Sequence, residues 1–219
     1  MAAFRSIASI NYAQRANASV SVPSGVVDGD VLLLAFLTGR ASSALDATAP
    51  AGWTLVSGFP TTSNDAGNFF VRTWLYSRVA NSEPASYSFS HATVATEGVM
   101  VAVSGGSATA PVATINTGTG STVTATGLTA GSGAYIGFIG RGWDFYGSSA
   151  APTQTPPTLT ERRDPTDGLI YVADGTLTDA GATGNKTHTN GNTGAFPWAG
   201  ILVAVEPDVR KQLLMMGVN

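Results

Sequence analysis

The chain has 219 residues, of which 26 are glycine and none is cysteine, and charged side chains make up only 11% of it. The lack of cysteine excludes disulfides, thiol nucleophiles and thiolate metal sites. A formal net charge of −3 without a basic stripe argues against nucleic-acid binding. Exposed helix faces normally carry Glu, Lys and Arg, so the low charge also disfavours a helical protein.

The N-terminal residues 1–15 mix arginine and amide side chains with apolar ones, which is not the pattern of a signal peptide. The longest apolar run, residues 31–37, is too short to span a bilayer. We therefore expect no membrane partner.

Short strand patterns, separated by Gly, Pro, Asn and Asp, run through the first half of the chain. Residues 31–38 are a continuous apolar run after the turn Asp28-Gly29-Asp30, which predicts a buried central strand. The predicted strands of this half are residues 18–22, 31–38, 52–57, 69–79, 86–90 and 98–103.

The second half continues the pattern, with predicted strands at residues 121–125, 134–139, 168–173 and 198–205. No helical period of ten or more residues separates them, which disfavours a parallel sheet with helical crossovers. The sequence predicts an all-β, antiparallel β-sandwich of jelly-roll type.

The domain organisation follows from these elements. Residues 1–17 are predicted to form an N-terminal arm or edge strand, residues 18–206 the sandwich, and residues 207–219 a short helical or extended C-terminal arm. The two halves show no repeat that aligns, and residues 104–111 are the only place where we would consider a split.

The residues expected of a hydrolase do not form a recognisable pattern. There is no G-x-S-x-G stretch, and His91 and His188 are best interpreted as surface or turn residues. No spacing of acidic residues singles out a catalytic pair. We expect that the protein is not an enzyme and needs no cofactor.

One acidic stretch contains Asp164, Asp167, Asp174 and Asp179, and Ca²⁺ prefers such oxygen ligands. The spacing does not match an EF-hand loop, and residues 164–168 have the composition of a hairpin turn. We assign no metal site, and calcium binding by this stretch is left open.

A stripe of Arg72, Trp74, Tyr76 and Arg78 shares one face of the predicted strand 69–79. Trp, Tyr and Arg are enriched at protein–protein interfaces. Two interpretations stay open: an outward-facing contact with a partner, or a second buried layer within the same sandwich.

Two further segments carry apolar side chains in irregular regions. Trp143, Phe145 and Tyr146 lie in a glycine-rich loop and either cover the end of the core or bind a ligand such as a sugar. Near the C-terminus, residues Leu213, Leu214 and Met216 either pack on the sandwich or bind a neighbouring subunit.

Four motifs follow one another in order: VDGDVLL at residues 27–33, PAGWTLV at 50–56, WLYSRVA at 74–80 and EPASYSFS at 83–90. This series resembles a "GDVLL … P-x-GW … EPxxYxF" pattern of structural proteins of tailed-bacteriophage virions, which have a jelly-roll-like domain. The resemblance covers roughly residues 18–140.

The resemblance implies a non-enzymatic virion protein, assembled in the host cytoplasm, that decorates the capsid or forms an accessory part of the head or tail. Its implied partners are the major capsid or tail protein and further copies of itself, and trimers are frequent among such proteins. The alternative is a carbohydrate-binding, lectin-like module for host recognition, with Trp143, Phe145, Tyr146 and residues 174–197 forming the site.

Overall fold

The computed structural model describes residues 1–40, 46–65, 69–142, 151–164, 169–189 and 197–210. The seventeen named elements within these ranges are all β-strands, and all their pairings are antiparallel. The predicted all-β antiparallel sandwich is confirmed, while its jelly-roll type stays a prediction. In these ranges, no helix is long and apolar enough to cross a membrane.

The first large sheet is built by the N-terminal half of the chain. Its strands are β1 (Ala3–Arg15), β3 (Val31–Arg40), β4 (Thr54–Leu55), β5 (Thr61–Asp65), β6 (Phe69–Val79) and β8 (Val94–Ser104). They pair in the order β1-β8-β3-β6-β4, and β5 also pairs with β6. The N-terminal residues therefore form a long edge strand, β1.

The second large sheet is built by the C-terminal half. Its strands are β9 (Val112–Thr119), β12 (Tyr135–Gly142), β13 (Thr160–Arg163), β14 (Ile170–Thr176) and β17 (Pro197–Val205). They pair in the order β13-β14-β12-β17-β9, which places β9 at an edge.

Three two-stranded sheets complete the fold. Their strands are β2 (Ala18–Ser21) with β7 (Ser86–Phe89), β10 (Thr122–Ala125) with β16 (Lys186–Thr189), and β11 (Thr129–Ala130) with β15 (Gly181–Ala182). The β2–β7 pair packs on the outer face of the first large sheet, and the β10–β16 pair packs on the outer face of the second. Each large sheet is thus covered on both faces.

This layering explains why β3 is apolar at nearly every position. Leu33 and Leu37 enter the core between the two large sheets, whereas Leu34 and Phe36 enter the layer beneath β2 and β7. Burial of each such side chain contributes about 1.5–3 kcal/mol. A strand buried on both faces cannot alternate between apolar and polar residues.

The two halves repeat one strand order, which the sequence analysis did not detect. The first half gives β1-β8-β3-β6-β5 and the second gives β9-β17-β12-β14-β13. In each half, the second and the second-last strands form the outer pair, β2–β7 and β10–β16. The linker of residues 105–111 joins the halves, and the core between the sheets takes side chains from both of them.

One short sequence match accompanies this repeat. Residues 98–103 read GVMVAV in β8, and residues 200–205 read GILVAV in β17. A Cβ on Gly98 would lie 3.0 Å from a Val20 side-chain carbon, and a Cβ on Gly200 would lie 2.4 Å from the Thr124 carbonyl oxygen. Glycine at these equivalent places lets each outer pair approach its sheet closely.

Candidate functional site

The aromatic members of the β6 stripe are buried. Trp74 is 3% exposed and Tyr76 is 6% exposed. The Trp74 ring centroid lies 6.0 Å from that of Phe36, and the Tyr76 ring centroid lies 5.9 Å from that of Phe89. The outward-facing interpretation is therefore wrong for these two side chains, because the β2–β7 pair covers them as a second buried layer.

The two arginines of the stripe lie at the rim of this layer. Arg72 Nη1 is 2.8 Å from Oδ1 of Asp46, an exposed carboxylate, and its guanidinium lies 5.8 Å from the Trp74 ring centroid. Burial, followed by the nearby Asp46 charge, raises the pKa of Tyr76 to about 12. Arg72 thus remains partly accessible, and the Tyr76 hydroxyl stays neutral at physiological pH.

Arg78 is the centre of a cluster with Trp53, Glu83 and Tyr87. Its guanidinium carbon lies 5.9 Å from the Trp53 ring centroid and 4.9 Å from that of Tyr87. Arg78 Nη2 is 2.9 Å from Glu83 Oε1, and the Tyr87 hydroxyl donates to Glu83 Oε2 at 2.5 Å. Burial and the Glu83 hydrogen bond raise the pKa of Tyr87 to about 12.

These four residues come from three of the motifs that carry the phage resemblance. Trp53 also makes an edge-to-face contact with Tyr87, at 5.2 Å between ring centroids and an interplanar angle of 89°. Gly52 has a φ of +85°, and a Cβ there would lie 3.0 Å from Arg78 Nη1. The motif pattern is therefore a packing unit that attaches the loop before β4 and the strand β7 to β6.

A shallow groove of about 170 Å³ lies beside this cluster. It is lined by Gly52, Thr54, Arg78 and Val79 and by linker residues including 107–111. A drug-sized ligand needs about 300 Å³ or more. The groove is therefore smaller than a typical small-molecule site.

A second groove of about 380 Å³ runs between the linker and the start of the C-terminal arm. Residues 107–109 line one wall and residues 207–210 line the other. Val209 is among the most exposed apolar side chains of the described residues. This end of the sandwich therefore offers contact surface.

Glu97, whose side chain has no exposed surface, forms an ion pair between the sheets with the partly exposed Arg163. Its Oε1 lies 2.7 Å from Nη2 of Arg163 on β13, and its carboxylate accepts backbone N–H bonds from Leu169 at 2.5 Å and Ile170 at 3.3 Å. Burial raises the pKa of Glu97 above its usual value, and Arg163 opposes that rise. The pair links β8 of the first sheet with β13 of the second.

Asp174 is committed to a second ion pair. Arg162 Nε and Nη2 both donate to its carboxylate, at 2.9–3.1 Å. Burial raises the pKa of Asp174 despite the arginine. Asp179 is exposed and Asp167 lies outside the described residues. Within the described ranges, no three acidic or histidine side chains come close enough to hold a metal ion.

Arg141 is a buried cation that the sequence analysis did not identify. It lies at the end of β12, where its Nη1 donates to the Pro197 carbonyl at 3.5 Å and its Nη2 donates to the hydroxyl of Ser63 on β5. Burial lowers the pKa of Arg141 to about 9. In the sequence, this segment stood out only for the glycines around Arg141, which do not predict a buried cation. Its role here is to connect the two sheets.

The interpretation of His188 as a surface or turn residue is wrong, whereas His91 does lie in the connection between β7 and β8 but is not at the surface. His91 is buried, its Nδ1 lies 2.7 Å from the Ala92 carbonyl oxygen, and its ring centroid is 5.8 Å from that of Phe36. His188 is also buried, and its ring stacks on Tyr171 at 4.0 Å. Alternation within β16 places His188 inward, beneath the outer layer.

The remaining predicted site residues lie outside the described part of the chain. They are Trp143, Phe145 and Tyr146 of the candidate ligand loop and Leu213, Leu214 and Met216 of the C-terminal arm. The carbohydrate-binding alternative therefore stays a prediction.

Each of the two large sheets ends in strands that pair on one side only. Among the strands that the structure describes, β1 pairs only with β8, β9 only with β17, β13 only with β14, and β4 and β5 only with β6. The opposite edge of each presents backbone N–H and C=O groups for pairing with another chain.

Comparison of the sequence with protein-family models and with curated proteins finds no match to either.

Proposed function

We propose that the chain is a non-enzymatic structural protein of a tailed-bacteriophage virion, which decorates the capsid or forms an accessory part of the head or tail. The observation that carries the proposal is the packing of Trp53, Arg78, Glu83 and Tyr87 into one internal cluster. These four residues come from three separate motifs of the phage resemblance. Because these residues contact one another in the folded chain, the motif pattern is a feature of the fold, and this supports the resemblance.

The placement of the buried charges supports a structural role. Glu97 pairs with Arg163, Asp174 with Arg162, and Asp30 with Arg5, where Asp30 Oδ2 lies 2.6 Å from Arg5 Nε. Each of these pairs joins separate strands or turns and holds its carboxylate away from solvent. Buried ionic groups that are bonded to one another fix strand positions, which suits a rigid building block.

The mechanism of such a protein is association. A sandwich that binds an assembled particle, but not its unfolded subunits, stabilises the particle by mass action. The partners are the major capsid or tail protein and other copies of this chain. The available surfaces are the strand edges and the grooves beside the linker.

Immunogold electron microscopy tests the proposal. Antibody against the recombinant protein is applied to density-purified particles from the phage or lysogen that encodes the chain. We expect gold on heads or on tails, and particles from a deletion strain as the control should carry none. Unlabelled wild-type particles, with the protein found only in the free lysate fraction, would overturn the proposal.

A further inference from the structure

One end of the space between the two large sheets holds more positive than negative charge. Arg141 of β12 pairs through its backbone with Ile170 of β14, and the Ile170 N–H donates to the Glu97 carboxylate. That carboxylate is the partner of Arg163. Among the described residues, no carboxylate lies within ion-pair distance of Arg141. Two cations therefore share this place with one anion.

Arg141 also has a nitrogen without a hydrogen-bond partner. The residue is only 1% exposed. Nη1 donates to the Pro197 carbonyl oxygen at 3.5 Å, and Nη2 donates to the Ser63 hydroxyl. Nε is buried, and no described residue accepts its hydrogen. A guanidinium can only donate, and a buried donor without an acceptor costs free energy. An acceptor beside Nε would remove that cost.

Further donors lie on the facing sheet. Thr73 of β6 is buried, and its hydroxyl has no hydrogen-bond partner among the described residues. Thr73 shares a strand face with Val71, which belongs to the core between the sheets and pairs with Ser63 of β5. Thr73 and Ser63 are therefore diagonal neighbours on the face that receives Arg141. Because the Ser63 oxygen accepts from Arg141, its own hydrogen can serve the same acceptor.

Lys186 is a second buried cation, and it is bonded differently. It has no exposed surface, and its Nζ donates to the carbonyl oxygen of Gln154 and, at 3.2 Å, to that of Pro156. The single nitrogen of Lys186 thus lies against two backbone acceptors. Arg141 differs because its Nε has no acceptor within the described ranges.

We propose that Arg141, Ser63 and Thr73 bind one chloride ion between the two large sheets. Chloride supplies the single negative charge that balances Arg141, and as a spherical acceptor it takes N–H and O–H donors from several directions. Buried charges in proteins are stable when they are paired and hydrogen-bonded. Arg141 keeps its proton at neutral pH, since burial lowers its pKa only to about 9. The site is independent of the proposed virion role.

Charge and enclosure favour a small monovalent anion over other acceptors. One positive charge is unbalanced, so a dianion such as sulfate would bring excess negative charge into the core. Arg141, Ser63 and Thr73 are all buried, and none of them lines either groove described above, so there is no open surface for an organic anion. A water molecule would accept the hydrogen bonds but would leave the charge of Arg141 uncompensated.

Urea unfolding in sodium chloride, compared with sodium gluconate at the same ionic strength, tests the site. An ion that binds only the folded chain stabilises it by mass action. Above the Kd, a tenfold rise in chloride should therefore raise the ratio of folded to unfolded protein by about tenfold. Gluconate is too large for an enclosed site and should give no such rise. The same response in both salts, or no response in either, would overturn the proposal.

Three variants locate the chloride response. Arg141→Met removes the cation and should abolish the response, and Thr73→Val, which keeps the side-chain shape but removes a donor, should weaken it. Lys186→Met is the matched control: it removes a buried cation that already has two carbonyl partners, and it should keep the full response. A response that survives in Arg141→Met and Thr73→Val, or that is lost equally in Lys186→Met, would contradict the site.

Bromide gives a direct readout, because it has the charge of chloride, is close to it in size and scatters X-rays anomalously. Crystals soaked in sodium bromide should show an anomalous peak within hydrogen-bond distance of the Arg141 guanidinium. Peaks at the protein surface only would mean adventitious ions and would overturn the proposal, as would a carboxylate such as that of Asp144 in place of the ion. None of these results would change particle labelling by immunogold.

Discussion

Glu97 and Arg163 join the two large sheets through an ion pair whose carboxylate has no exposed surface. Oε1 of Glu97 lies 2.7 Å from Nη2 of Arg163, although the two residues belong to opposite halves of the chain. The sandwich therefore depends on a charged contact as well as on its apolar core.

Removal of the cation alone should be the most damaging change to this contact. We expect Arg163→Met to lower the free energy of unfolding by about 3–5 kcal/mol, because it leaves the buried Glu97 carboxylate uncompensated. The double variant with Glu97→Gln should lose less than Arg163→Met alone. Urea unfolding of the three proteins measures both quantities. Equal losses in the single and double variants would show that the charge is not the cause.

The same carboxylate should make stability depend on pH. Burial raises the folded-state pKa of Glu97 above 4.5, so the folded protein retains a proton that the unfolded chain has lost. The free energy of unfolding should then fall as the pH rises from about 4.5 through the folded pKa. Glu97→Gln should flatten this part of the profile. Because Asp174 also has a raised pKa, Asp174→Asn serves as the parallel comparison.

Gly52 should be intolerant of a side chain for two separate reasons. Its φ of +85° is strained for other residues, and an added Cβ would meet Arg78 at 3.0 Å. Gly25 has a φ of +73° but open space around it, which makes it a matched control. Gly25→Ala should cost about 1 kcal/mol from strain alone, and Gly52→Ala should cost clearly more. Thermal unfolding compares them, and equal costs would argue against a tight Gly52–Arg78 contact.

Burial of Trp74 predicts that its loss affects folding. Trp74→Ala should destabilise the protein by about 3–5 kcal/mol, as expected for an aromatic residue removed from a core. Arg72→Ala, two residues away at the rim, should change stability by about 0.5 kcal/mol or less. Chemical unfolding measures both variants. A stable Trp74→Ala variant with weakened self-association would restore the outward-facing interpretation.

The apolar pattern of the sequence predicted the strands correctly where it follows directly from the burial of the strand. The predicted strand 69–79 coincides with β6, and the predicted strands 31–38 and 98–103 fall within β3 and β8. The continuous or alternating apolar residues of these strands are there because one or both faces of each strand are buried. β9 was missed because its Val112–Thr119 segment is rich in threonine and lies half-exposed at an edge.

The third layer could not be predicted from local pattern. Alternation shows that Trp74 and Tyr76 share a face, but it does not show whether solvent, a partner or another strand pair covers it. The covering strands β2 and β7 are separated by more than sixty residues and pair only in the folded chain. The repeat was missed for a related reason: its sequence match is confined to residues 98–103 and 200–205.

Quantitative mass spectrometry of density-purified particles is the most direct test of the proposed virion role. The proposal predicts peptides of this chain in a fixed ratio to the major capsid or tail protein, unchanged by further purification. A ratio that falls toward zero with each purification step would contradict it.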